Sequence, residues 1–111
     1  MNVKMSEDAV IFKITEDETK TLLSGVVLKS DVRVGSDYFT IAIDPTMESR
    51  TLPELQLILH ENSLVLKTTL KTVQALSDLG KIREGISVSM NDMKIVLQID
   101  VRGNRNQKKF E

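Results

Sequence analysis

A chain of 111 residues, 41% apolar and 28% charged, has the composition of one ordinary globular domain. That length is enough to bury about two-thirds of the surface the unfolded chain exposes. No cysteine occurs, which excludes disulfides, thiolate metal sites and cysteine nucleophiles, and the net charge of −1 gives no whole-molecule attraction to nucleic acid or anionic membrane.

Residues 1–8 carry Glu7 and Asp8 where a signal peptide needs its apolar stretch, and no apolar run approaches the roughly 20 residues that span a bilayer. They are predicted to be a flexible N-terminus of a cytoplasmic protein, outside a domain spanning 9–102. Val10–Ile14 alternates as a strand, with Val10, Phe12 and Ile14 on one face and Ile11 and Lys13 on the other. Thr15 followed by Glu18 is a capping box, and Glu16, Asp17 and Glu18 put negative charge at the positive end of a short helix closed by Gly25. Leu22 and Leu23 are its expected buried stripe.

Three hairpins are predicted next. Leu28–Val34 and Tyr38–Asp44 flank Gly35-Ser36-Asp37, and Leu55–His60 and Leu64–Thr68 flank Glu61-Asn62-Ser63. Ile86–Met90 and Met93–Val101 flank Asn91-Asp92, a dipeptide that tolerates positive φ. Between the first two hairpins, Pro45 and Pro53 bracket the longest connection, through which no sheet ladder can continue. A second helix over 70–79 is expected to bury Leu70, Val73, Leu76 and Leu79 and to stop at Gly80. Residues 103–111 form a polar basic tail; with Arg102, Arg105, Lys108 and Lys109 they help make residues 56–111 net +3 against −4 for residues 1–55.

The chain also repeats itself. Lys13 and Thr15 before the first helix correspond to Lys67 and Thr69 before the second, Gly25 to Gly80, and Ile43-Asp44 to Ile99-Asp100, at an offset drifting from 54 to 56 residues. The expected fold class is α+β: an antiparallel-rich sheet of about seven strands with two short helices on one face, in the order β-α-β-β-β-β-α-β-β, with a possible internal duplication.

A two-residue period assigns a strongly apolar face to the helices and leaves an outward face that is half apolar and half charged. Its apolar members Ile11, Ile58, Val65 and Val96, with Tyr38, are candidates for contact with a protein partner or a second copy. Its cations Lys13, Lys29, Arg33, Lys67 and Lys94 are candidates for phosphate contact, although base stacking has only Tyr38 on that face. Catalytic candidates are sparse. His60 is the single histidine, and adjacent strand residues point to opposite faces, so Glu61 is not expected to act with it on one atom. Asp44 and Asp100 occupy corresponding strand ends, where paired carboxylates would permit acid–base chemistry; a turn role for Asp44 and a cross-strand ion pair for Asp100 are the structural alternatives. No nucleophile elbow and no glycine-rich phosphate loop occurs, and no metal site or cofactor is expected.

Ile14-Thr15-Glu16-Asp17-Glu18, Tyr38-Phe39-Thr40-Ile41, Glu61-Asn62-Ser63-Leu64-Val65-Leu66, Ser77-Asp78-Leu79-Gly80 and Lys94-Ile95-Val96-Leu97 together resemble the segments of a loosely defined group of small uncharacterised bacterial α+β domains, over residues 9–102. The resemblance implies a fold and no activity or site residue. From the residues, the leading expectation is a non-catalytic binding or assembly module acting through its outward sheet face or an edge strand, as a homodimer or with a protein partner. The alternatives are a small enzyme or ligand-binding protein using Asp44, His60 or Asp100, and a weak nucleic-acid binder using the basic face and tail.

Overall fold

The computed structural model describes residues 1–48, 51–80 and 84–100. Its elements are β1 (Asn2–Met5), β2 (Ala9–Ile14), α1 (Glu16–Leu23), β3 (Leu28–Val34), β4 (Asp37–Asp44), β5 (Leu55–His60), β6 (Ser63–Thr68), α2 (Leu70–Leu79), β7 (Ile86–Met90) and β8 (Met93–Ile99). The α+β class holds, with two changes. The strands form two four-stranded mixed sheets, β1-β2-β8-β7 (sheet A) and β3-β4-β6-β5 (sheet B), and there are eight of them among the described residues.

The added strand is β1, which lies within the stretch expected to be a flexible N-terminus. Asn2–Met5 pairs antiparallel with β2, from Asn2 opposite Lys13 to Met5 opposite Val10, and the Ser6 N–H donates to the Ala9 carbonyl across the turn at 2.9 Å. Val3 turns inward onto the core and pairs with Phe12, which compensates for a strand of only four residues. The remaining hairpins close as their turn chemistry dictates. Asn91 and Asp92 both have positive φ (51° and 63°), and Glu61 has φ 51° between His60 and Ser63. Residues from Val101 onward, including the basic tail, lie outside the described residues.

Each sheet joins the first half of the chain to the second. β2 runs parallel to β8, Phe12 opposite Leu97, and β4 runs parallel to β6, Ile43 opposite Leu66. α1 carries the chain from sheet A to sheet B and α2 carries it back, which supplies the crossover that parallel pairing requires. The two halves are therefore β-β-α-β-β units that exchange their last two strands. Their offset is 54 for the strands next to the helices and their parallel partners: Asn2 opposite Lys13 matches Gln56 opposite Lys67, and Lys13 opposite Gln98 matches Lys67 opposite Asp44, whereas Leu28 opposite Ile43 matches Ile86 opposite Leu97, which puts β3 and β7 58 residues apart. The bonds from the Lys94 N–H to Asp8 O and from the Thr40 N–H to Asn62 O, both 2.8 Å, obey the offset of 54. Asp44 thus corresponds to Gln98, and the expected match with Asp100 is two residues out of step.

Helix capping also repeats. Thr15 Oγ1 accepts from the Glu18 N–H while Glu18 Oε1 accepts from the Thr15 N–H, at 3.1 and 2.9 Å. Thr69 Oγ1 accepts from the Thr72 N–H at 3.0 Å. Positions 18 and 72 each then hold the start of the neighbouring edge strand: Glu18 Oε2 binds the Met1 ammonium at 2.7 Å, and Thr72 Oγ1 accepts from the Glu54 N–H at 3.0 Å. In the second helix the buried stripe is Thr69, Thr72, Val73 and Leu76, at i, i+3, i+4 and i+7, and Leu70 and Leu79 lie outside it, both exposed. Thr72 lies on the inward side because its hydroxyl has that backbone amide to satisfy.

One apolar cluster joins both sheets to both helices, with Phe12, Ile14, Leu97 and Ile95 from sheet A, Ile43, Leu55, Leu64 and Leu66 from sheet B, and Leu22, Val73 and Leu76 from the helices. The core sits toward the end of the sheets where β2 and β6 enter the helices. At the opposite end, where the hairpins turn, inward-facing Val32, Val34, Leu59 and Met90 are exposed. For Val32 and Val34 the reason is length, since the β3–β4 ladder continues to Val34 opposite Asp37, beyond Thr40 opposite Ser63 where the pairing of β4 with β6 begins.

Candidate functional site

The residues singled out from the sequence fall on two separate surfaces. Ile11, Val96, Lys13 and Lys94 are on the outward face of sheet A, and Tyr38, Ile58, Val65, Lys29, Arg33 and Lys67 are on that of sheet B. On sheet A, Ile11 lies opposite Val96, but Val96 is only 4% exposed and Ile11 is half-buried, so neither offers much contact area. Ala42, the counterpart of Val96 at the 54-residue offset, is buried likewise. The centres of both outward faces are thus closed by neighbouring side chains of the same chain.

Sheet B keeps an open apolar margin. Across its outward face one row reads Ile58, Val65, Ala42, Lys29, with each residue opposite the next in the ladders. Ile58 is 38% exposed on the edge strand and Val65 is half-buried beside it. The row toward the helices reads Gln56, Lys67, Asp44; the row toward the turns reads His60, Ser63, Thr40, Asp31. Thr40 Oγ1 donates to Asp31 Oδ1 at 2.8 Å, fixing that outer row. Beyond it, Tyr38 is 57% exposed, with the Arg33 guanidinium 5.7 Å from its ring centroid in the range of a cation–π contact. The arrangement is a small apolar strip rimmed by polar and charged side chains.

The three catalytic candidates do not converge. Asp44 ends β4 beside the helices, whereas His60 ends β5 at the turns, about four residues or roughly 13 Å away along the sheet. Asp100 follows β8 in the other sheet, its N–H donating to the Ile14 carbonyl at 2.6 Å. Asp44 has a structural occupation: its Oδ1 accepts from the Thr46 hydroxyl at 2.6 Å and from the Thr46 N–H at 3.0 Å, turning the chain at Pro45. The Thr46 hydroxyl bond, then the Thr46 amide, and to a lesser degree the Lys67 charge opposite, hold the Asp44 carboxyl below its ordinary value. His60 and Glu61 do meet, Nε2 to Oε1 at 3.7 Å, because the positive φ of Glu61 takes it out of the strand alternation that would have separated them. Both side chains are about four-fifths exposed, so the contact is a surface pair.

A cavity of about 150 Å³ between the helices is lined by Glu16, Thr19, Lys20, Ser77, Gly80 and Ile99, and a shallow one at the β7–β8 turn by Asp8 and residues 89–94; neither includes Asp44, His60 or Asp100. No group of three metal-ligating side chains occurs among the described residues, and no helix among them is long and apolar enough to cross a membrane. Sequence reasoning missed the exposure of Leu59, 70% on β5, because its alternation places it with the core residues. Its position next to the turn was the available signal. No family model, no curated protein and no solved structure matches the chain.

Proposed function

We propose that this chain is a non-catalytic binding or assembly module that receives a protein partner on the outward face of sheet B. The observation that supports it is the Ile58–Val65 strip, apolar, open at the edge strand and bordered by polar rows that include Gln56, Lys67, His60 and Asp31. An apolar centre with a polar rim is the usual anatomy of a protein–protein contact, and the Arg33–Tyr38 pair adds two side-chain types favoured at such contacts. The five cations are divided between two sheets, which gives no single phosphate-tracking surface to favour nucleic acid. The test is the double substitution Ile58→Glu with Val65→Glu. It is expected to retain the far-ultraviolet circular dichroism of the parent and to lose at least tenfold in association with any protein that the parent retains. Retention of that association with the fold intact would remove the face as the interface.

A further inference from the structure

Among the described residues each sheet ends in two strands that have a neighbour on one side only, and the four edges differ in how they are protected. β1 carries Lys4, and β3 carries Lys29, Asp31 and Arg33. β7 is uncharged but turns Ser87 and Ser89 outward. β5 reads Leu-Gln-Leu-Ile-Leu-His, without Lys, Arg, Asp, Glu or Pro, and it exposes apolar side chains on both of its faces, Ile58 outward and Leu59 inward. Charge and proline are the devices that keep edge strands from pairing. β5 has neither.

The direction of its free backbone groups follows from the ladders. The Thr40 N–H donates to the Asn62 carbonyl, so even-numbered residues of this strand turn their backbone groups toward β4, and Ser63, Val65 and Lys67 turn theirs toward β5. Their partners His60, Ile58 and Gln56 complete the β5–β6 bonds. The N–H and C=O of Leu57 and Leu59 therefore point away from the sheet.

We propose that β5 pairs antiparallel with β5 of a second copy of this chain, joining two copies of sheet B into one eight-stranded sheet. A twofold axis perpendicular to the sheet, passing beside Ile58, keeps the faces of both copies in step. It sets Leu57 opposite Leu59 of the second copy, where the free N–H and C=O groups exchange bonds. Ile58 meets Ile58 across the outward face, and Gln56 meets His60. In a contact of this symmetry a residue near the axis faces its own copy, so a charged edge repels itself. That condition favours a second copy of β5 and disfavours the edges carrying Lys4, or Lys29 and Arg33. One short strand pair buries less than the roughly 1,200 Å² of a standard interface, so the dimer is weak and depends on concentration. This inference deepens the assembly reading, on which it rests, but it uses the backbone of β5 and not the strip around Val65.

The test is light scattering of the full chain across a hundredfold range of concentration, for the parent, Leu59→Pro, Leu59→Lys and Val65→Glu. Proline at 59 removes an N–H that β6 does not use. The parent is expected to move from monomer toward dimer, both Leu59 variants to weaken association at least tenfold, and Val65→Glu to associate as the parent does. Should Leu59→Pro lose its circular dichroism signal, Leu59→Lys decides. A parent that stays monomeric throughout, or Leu59 variants that associate as the parent does, overturns the edge contact. If Val65→Glu alone abolishes association, the face reading survives and the edge contact falls.

Discussion

Thr46 donates two hydrogen bonds to one oxygen of Asp44, and that single turn decides how this part of the chain responds to acid. With its pKa held below the ordinary 3.8, the Asp44 carboxyl contributes stability that is complete above that value and is lost as pH falls through it toward the lower native value. Replacing Thr46 by Val removes the larger of the two bonds, so the Asp44 pKa is expected to rise toward 3.8, and the loss of stability between pH 7 and pH 3 to shrink. Carboxyl NMR titration with urea unfolding at both pH values measures this; an unchanged Asp44 pKa would refute it. Gly85 is a second position where one atom matters. Its φ is +63°, and a Cβ there would overlap the Leu97 carbonyl oxygen and crowd Gln98 on the neighbouring strand. Gly85→Ala is expected to destabilise by about 2 kcal/mol or more in urea unfolding. A near-neutral result would mean that β7 shifts freely at its start. By contrast, nothing lies within 4 Å of a Cβ placed on Gly25, where only the left-handed backbone conformation opposes substitution.

At the scale of elements, the caps and turns were legible in the sequence because their chemistry is local. The Thr15–Glu18 box and the Asn91-Asp92 turn form where their side chains predict them. What was not legible depends on partners distant in the chain. β1 reads as a flexible terminus in isolation, since Asn2-Val3-Lys4-Met5 has a single β-branched residue, and becomes a strand by pairing with β2. Applied at the offset of 54 that relates Lys13 to Lys67, the repeat would have aligned it with Gln56–Leu59 on β5. The stripe of α2 shows the same limit: Leu70 and Leu79 outrank Thr72 in hydrophobicity, yet Thr72 is buried because the Glu54 amide needs an acceptor. The equivalence of the helices itself makes a prediction. Leu22 and Leu76 are fully buried at matching positions, so Leu22→Ala and Leu76→Ala are each expected to cost about 2–5 kcal/mol by denaturant unfolding. A cost below 1 kcal/mol for either would show that its helix is not anchored in the shared core.

At the scale of the whole molecule, the exchange of strands between halves explains why one core serves two sheets: neither β-β-α-β-β unit can complete a sheet without the other's last two strands. Alternation in the sequence correctly separated inner from outer faces, but it could not show that the outer residues belong to two different sheets. For that reason the candidate contacts Ile11 and Val96 part company with Tyr38, Ile58 and Val65. Nor could it show which strands lie at the edges, the property that makes Leu57 and Leu59 candidates for contact through their backbone. The proposed function is association on the β5 side of sheet B. The most direct measurement is residue-resolved amide hydrogen exchange at two protein concentrations a hundredfold apart. The Leu57 and Leu59 amides are expected to exchange rapidly when dilute and at least several-fold more slowly when concentrated, while the Ile58 amide, bonded within the sheet, is protected in both. Equal, fast exchange of Leu57 and Leu59 at both concentrations would contradict the account.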